Sequence, residues 1–235
     1  LVGAQVLLLP GFAYAAYLLI RRRAWPALLP LAWWLAILLI YALRLPENYQ
    51  HGRYVMPTIP WLLIYGVWGT ALALRPRHPN LIVRVLSRGL PVAISLLAVL
   101  FWGRGALAYS DDVGFIEGEM MAMARWIDAN TVPGTVIAVH DIGAVGYVTD
   151  RPLLDLAGLI TPEVIPIMTD TEKLVDWMLD RGAEYVIFFP DFSRTYEELQ
   201  DDPRLERVYC TNFAWTQAAG VENMCAYRLI SGALP

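Results

Sequence analysis

Apolar residues fill the first 110 positions in long blocks, without the one-sided or alternating patterns of a soluble domain. Four blocks approach the roughly 20 residues that a bilayer requires: Leu1–Ile20, Trp25–Leu43, Val55–Leu74 and about Leu90–Leu107, the last weakened by Arg104. Pro10, Pro30 and Pro60 fall inside blocks, which lipid-embedded helices tolerate when neighbours satisfy the freed carbonyls. Trp and Tyr gather near several block ends, as an interfacial belt would place them. Between the third and fourth blocks, "PNLIVRVLSRGLP" is short and amphipathic, with Arg84 and Arg88 one helical turn apart. It reads as a helix lying on the membrane surface, with a disordered connector as the alternative.

The pattern changes after the fourth block. Met120, Met121, Ala124 and Ile127 recur at helical spacing and predict a helix over about Phe115–Ala129, stopped by Pro133-Gly134. "TVIAVHD" (Thr135–Asp141) is a short β-branched run that reads as a buried strand. "IGAVGYVTD" predicts a short helix or turn, and "RPLLDLAGL" another strand. "TDTEKLVDWMLDRGA" predicts a capped amphipathic helix, with Thr169 or Asp170 at its start and Gly182 at its end. "EYVIFFP" is a further strand and "SRTYEELQ" a short helix, and "RLERVYCTNFAW" with "NMCAYRLI" forms a closing antiparallel pair. Alternating strands and helices predict a layered α/β domain.

Charge sharpens the division. Residues 1–110 carry ten Arg or Lys and one acid, Glu47, whereas residues 111–235 carry eight and twenty-one. With 57% hydrophobic residues and a mean hydropathy of +0.45, the chain is too apolar for an ordinary soluble domain. The expected fold class is an α-helical membrane domain of about four transmembrane helices (1–110) followed by an extracytoplasmic α/β domain (111–235). The chain begins at Leu1 inside an apolar run, with no basic leader or small-residue cleavage site. It therefore reads as starting partway through a longer polypeptide.

Orientation follows from the arginines. Arg21–Arg23 follow the first block, and Arg75, Arg77, Arg84 and Arg88 follow the third. The loop between the second and third blocks holds only Arg44, Arg53 and Glu47. The positive-inside rule puts the two arginine-rich loops in the cytoplasm, and the Arg53 loop and the acidic domain outside.

Few residues carry recognisable chemistry. Gly143 and Gly146 in "HDIGAVGY" suit a phosphate loop, but they fall short of the dinucleotide fingerprint and fit close turn packing better. Asp141 and Asp155 read as turn formers. His140 is one of three scattered histidines, and no metal spacing appears. Cys210 and Cys225, both in the external half, favour a disulfide over two buried thiols. In "NYQHGRYVMPTIPW", His51, Arg53 and Tyr54 stand at the lip of the third block. Two readings stay open: an interfacial anchor, or a clamp in which the Arg53 fork holds a headgroup phosphate.

"YQHGRYVMPTIPWLLIYG", two further spans and "VIAVHDIGAVGYVTDRPLLDLAGLITPE" together resemble the C-terminal part of bacterial GT-C type glycosyltransferases. This superfamily includes protein mannosyltransferases and lipid A aminoarabinose transferases. The resemblance implies sugar transfer from a polyprenyl-phosphate-linked donor at the outer face of the cytoplasmic membrane. Arg53, Tyr54 and His51 would then hold the lipid phosphate. It also implies that the catalytic acid lies in an earlier external loop, so no catalytic residue is assigned here, and it leaves room for a divalent metal in the full-length enzyme. Membrane lipids and the sugar donor are the expected partners, other membrane subunits a further option, and no nucleic acid is expected. The rival reading is a non-catalytic membrane subunit that docks partners through its acidic domain. A transporter fragment is disfavoured by the lack of buried acids in the spans.

Overall fold

The computed structural model describes residues 4–44 and 50–230, the side chains of residues 4, 5 and 50–52 excepted. The chain divides into two compact units, Leu1–Leu107 and Ala108–Pro235.

The first unit is helical. It comprises α1 (Leu9–Arg21), α2 (Leu29–Arg44), α3 (Ile59–Ala73) and the beginning of α4 (Leu81–Phe115). Gly66 meets Leu8 and Gly69 meets Ala15, so α1 and α3 run in the same direction. Their approach is close because the facing residues are small. A Cβ on Gly69 would stand 1.8 Å from the Gly11 carbonyl oxygen, and one on Gly11 would stand 2.1 Å from Thr70 Oγ1. Small residues at the contact let helix backbones approach closely. Phe12, Leu19, Leu31 and Leu62 fill the space beside this crossing, with Trp34 and Tyr65 against them. The Tyr65 hydroxyl donates to the Ala27 carbonyl at 2.9 Å, tying α3 to the start of the α2 segment.

Three helices are long and apolar enough to cross a membrane: Trp25–Arg44, Arg53–Ala73 and Leu81–Asn130. The sequence predicts four. The first block appears among the described residues as a shorter apolar helix, Val6–Arg21. The segment after Pro79 also differs from both readings of it, because it forms the opening turns of α4, which continues through Pro91. Pro91 removes one N–H from the helical ladder, and the helix continues on both sides of it. Arg84 and Arg88 reach back to loop carbonyls, so they stitch this end of the helix to the preceding turn. Apolar side chains around α4 are exposed, among them Val85, Leu96 and Trp102, and Ser87 alone is buried.

The second unit opens on the last residues of α4, a π-helical turn (Ile116–Met121) and α5 (Ala122–Asn130). The helix expected at Phe115–Ala129 is therefore the end of a longer one, since no proline separates Leu107 from Phe115 and the helix runs through Gly114. Its buried face is Met123, Ala124 and Ile127, so Ala124 and Ile127 fall where the spacing put them, while Met120 and Met121 are only partly buried.

Then follow β1 (Val136–Val139), α6 (Ile142–Val148), β2 (Leu153–Asp155), α7 (Thr171–Asp180), β3 (Ala183–Phe188), α8 (Arg194–Leu199), β4 (Leu205–Cys210), α9 (Ala214–Ala218) and β5 (Cys225–Leu229). The strands form one mixed sheet in the order β2-β1-β3-β5-β4. β1 pairs in parallel with β2 and β3, while β5 runs antiparallel to both β3 and β4. Successive strand residues face opposite sides. Ala138, Val186 and Phe188 accordingly pack with Leu174 and Met178 of α7, whereas Ile137, Val139 and Ile187 pack with Met123 and Ile127 of α5. Both faces are covered, which explains why β1 is apolar at every position instead of alternating.

Candidate functional site

Three places in the described structure concentrate polar chemistry. The first lies ahead of α3, where Gln50–Thr58 winds as a tight 3-10 segment. Thr58 is buried and its hydroxyl donates to the Val55 carbonyl at 2.6 Å, and Pro60 occupies the first turn of α3, where its missing N–H is harmless. This fixes the neighbouring side chains. Arg53 Nη2 donates to the Tyr54 hydroxyl at 3.0 Å, and the guanidinium carbon stands 4.9 Å from the centre of the same ring. Tyr54 in turn stacks on Tyr41 of α2 at 5.9 Å. Tyr41, Tyr54 and Arg53 thus adjoin in turn at the lip of the candidate span Arg53–Ala73. A guanidinium stacked on an aromatic face keeps a planar fork suited to phosphate oxygens. The structure brings Arg53 and Tyr54 together, while the His51 side chain and Glu47 lie outside the described residues.

The second is the carboxyl edge of the parallel strands. The chain leaves β1 toward β2 on one side and leaves β3 toward β4 on the other, which is the crevice where α/β sheets commonly bind ligands. His140 follows β1 there. Its Nδ1 lies 2.9 Å from the Tyr196 hydroxyl, and its ring centre lies 4.4 Å from that of Phe192. Burial pulls the His140 pKa below the ordinary imidazole value, and the negative charges of Asp141 and Asp155 oppose that shift. Burial likewise raises the Tyr196 phenol well above its usual range, with the charge of Asp155 adding to the effect. The two acids are committed to the backbone. Asp141 accepts from the Gly143 N–H and caps α6, and Asp155, fully buried, accepts from the N–H groups of Ala157 and Ile160 at 2.8 Å. Gly143 and Gly146 belong to α6 itself, so "HDIGAVGY" is a capped helix start.

The third was not anticipated from the sequence. Glu119, in the π-turn, is fully buried. Its carboxylate accepts hydrogen bonds from Thr211 Oγ1, from Asn223 Nδ2 and from the Met224 backbone N–H at 3.0 Å. Among the described residues no cation pairs with it. Gln217 donates to Asn223 Oδ1 at 2.9 Å and orients that amide. Gly118 makes room, since a Cβ there would stand 2.4 Å from the Phe213 ring. Thr211 and Met224 sit beside Cys210 and Cys225, which are joined by a disulfide across β4 and β5. A signal was present: Glu119, Met123 and Ile127 are spaced i, i+4, i+8, which puts an acid on an apolar helical stripe.

Among the described residues, no group of three or more His, Cys, Asp or Glu is placed to hold a metal ion. The divalent metal that the resemblance leaves room for therefore has no matching donor set in these residues. No curated protein and no solved structure matches the chain. A match does appear from the last turns of α4 to Tyr227 in β5, a range that includes the His140 crevice and the Glu119 network but not Arg53. The family described as Domain of unknown function (DUF8728) covers residues 105–227, more than half of the 235, and the chain belongs to that family.

Proposed function

We propose that this chain is the C-terminal part of an integral-membrane glycosyltransferase of GT-C type. In this reading it works at the outer face of the cytoplasmic membrane on a polyprenyl-phosphate-linked sugar donor. The helical unit is embedded in lipid, the α/β unit lies outside the cytoplasm, and Arg53 with Tyr54 and His51 holds the donor phosphate. The observation that carries the reading is the Arg53–Tyr54–Tyr41 stack at the start of a candidate span. Such a stack pre-orients a guanidinium at headgroup depth, so less side-chain freedom is lost on binding a phosphate. The exposed apolar surface of α4 supports insertion, because a soluble chain rarely leaves a patch of that extent in water.

A second reading, a non-catalytic membrane subunit with an acidic docking domain, is favoured by one observation. Residues 1–107 contain a single acid, Glu47, which is few for a unit that would house acid–base chemistry. The two readings share the lipid-phosphate site and differ in where the chemistry resides.

The test is binding of undecaprenyl phosphate by the full chain in detergent. Arg53→Ala should weaken binding by about 10-fold or more, the loss of one charge-assisted hydrogen-bonded contact, with helix content unchanged. Arg53→Lys should recover only part of it, because an ammonium cannot reproduce the fork. Wild-type affinity in Arg53→Ala would return Arg53 to the role of interfacial anchor.

A further inference from the structure

The opposite end of the helical unit gathers cations with no anions of its own. α1 and α3 run in the same direction, so Arg21–Arg23 after α1 and Arg75 and Arg77 after α3 lie at one end, where α4 also begins with Arg84 and Arg88. Among the described residues none of these seven arginines pairs with a carboxylate, and residues 1–107 contain a single acid in sequence, Glu47. Arg84 Nε donates to the His78 carbonyl at 3.0 Å and Arg88 Nε to the Pro76 carbonyl at 3.3 Å. Neutral carbonyls fix the position of a guanidinium but do not offset its charge.

The turn that carries them is organised. Asn80 Oδ1 accepts from the N–H groups of Ile82 and Val83, His78 Nδ1 accepts from the Asn80 N–H, and Ser87 Oγ accepts from the Arg75 N–H at 2.8 Å. Leu74, Arg75, Pro76, Arg77 and His78 line an open depression on it. On the α1 side, Arg23 adopts φ 55, and Ala24 N–H reaches the Leu19 carbonyl at 2.9 Å. This is the helix-ending turn whose left-handed position ordinarily belongs to glycine. Here an unfavourable backbone conformation is occupied by a charged side chain.

We infer that this end of the helical unit is a binding site for anionic phospholipid headgroups. Seven mutually repelling charges held at a span boundary need counter-anions at the same depth, and the phosphate of a lipid headgroup lies there. A zwitterionic headgroup brings its own cation and leaves the repulsion in place, so the preference is for a net negative lipid. The inference rests on the membrane part of the reading above and is independent of sugar transfer.

The full chain in detergent is titrated with dioleoyl phosphatidylglycerol, dioleoyl phosphatidylcholine and inorganic phosphate, and adducts are counted by native mass spectrometry. Phosphatidylglycerol should bind in clear preference to phosphatidylcholine. Arg75→Gln/Arg77→Gln should weaken that binding about 30-fold, from about 1 kcal/mol per charge at an anionic surface. Arg21→Gln/Arg22→Gln, on a different helix end, should do the same, which separates loss of charge from damage to one loop. Equal retention of the two lipids, or variants that bind like the wild type, would overturn the site. Inorganic phosphate that displaces phosphatidylglycerol with the same arginine dependence would overturn its assignment to lipid. Flotation with phosphatidylcholine vesicles is measured alongside. A chain that does not float overturns the membrane reading and this site with it, whereas one that floats without lipid preference overturns the site alone.

Discussion

The carboxylate of Glu119 accepts the backbone N–H of Met224 at 3.0 Å, across 105 residues of chain. That contact holds the π-turn after α4 against the connection between β4 and β5, and Thr211 and Asn223 donate to the same carboxylate. Removing the acceptor leaves the buried Met224 N–H without a partner, and leaves Thr211 Oγ1 and Asn223 Nδ2 only their bonds to the Met224 and Phe213 carbonyls at 3.2 Å. Glu119→Ala should therefore destabilise the α/β unit by about 2–4 kcal/mol. Glu119→Gln keeps the shape but turns an amide toward the donors, and should cost about 1–3 kcal/mol. Hydrogen exchange at the Met224 amide in the full chain checks both, with faster exchange in the order wild type, Gln, Ala.

Cys210 and Cys225 close a loop with a sequence separation of 15 beside this network. A cross-link over a loop of that length contributes about 3 kcal/mol by restricting the unfolded chain. Thermal unfolding of the full chain with and without reductant should show a loss of that size, matched by Cys210→Ala/Cys225→Ala. The Thr211 N–H also donates to the Met224 carbonyl at 2.9 Å, and the Met224 N–H donates to Glu119, so partial protection of both amides should survive reduction.

What could be read from the sequence follows the range of the interactions. β1, β3, α7 and the β4–β5 pair stand out because each is defined by its own apolar run, cap or turn. Asp170 capping α7 through the Lys173 N–H is a purely local event. The continuity of α4 into α5 is not legible because "YSDDVG" is polar and ends in glycine, which suggests a linker, although it holds no proline to stop a helix. The His140–Tyr196 contact joins residues 56 apart, and neither residue belongs to a motif that points to the other. Arg53 and Tyr54 are adjacent in sequence, so their pairing is nearly local; Tyr41, which completes the stack, comes from the preceding helix and carries no signal of its own.

The pH dependence of the α/β unit should carry the mark of His140. Burial lowers its pKa in the folded chain from 6.5, its ordinary value. The unfolded chain then binds the proton more readily, so acid favours unfolding. The contribution of His140 to stability is present in full above 6.5 and is lost as pH falls from there through the lowered folded value. Melting temperature measured across that window should rise with pH, and His140→Gln should flatten that part of the profile. Tyr196→Phe should move the His140 imidazole resonance in an NMR titration, because it removes the 2.9 Å partner of Nδ1.

The α1–α3 crossing gives the sharpest steric expectation. At Gly69 a methyl group would fall 1.8 Å from the Gly11 carbonyl oxygen, a backbone atom that can move only with its helix. Gly69→Ala should therefore force the helices apart and destabilise the helical unit by about 1–3 kcal/mol, the usual range for overpacking. Gly89 is the matched control: it also lies in a helix, and a Cβ there meets nothing within 4 Å. Gly89→Ala should be neutral or slightly stabilising, since alanine is the better helix former. Thermal unfolding of the two variants in the same detergent, followed by circular dichroism, compares them directly. A Gly69→Ala variant as stable as Gly89→Ala would mean that α1 and α3 do not meet through their glycines in the folded protein.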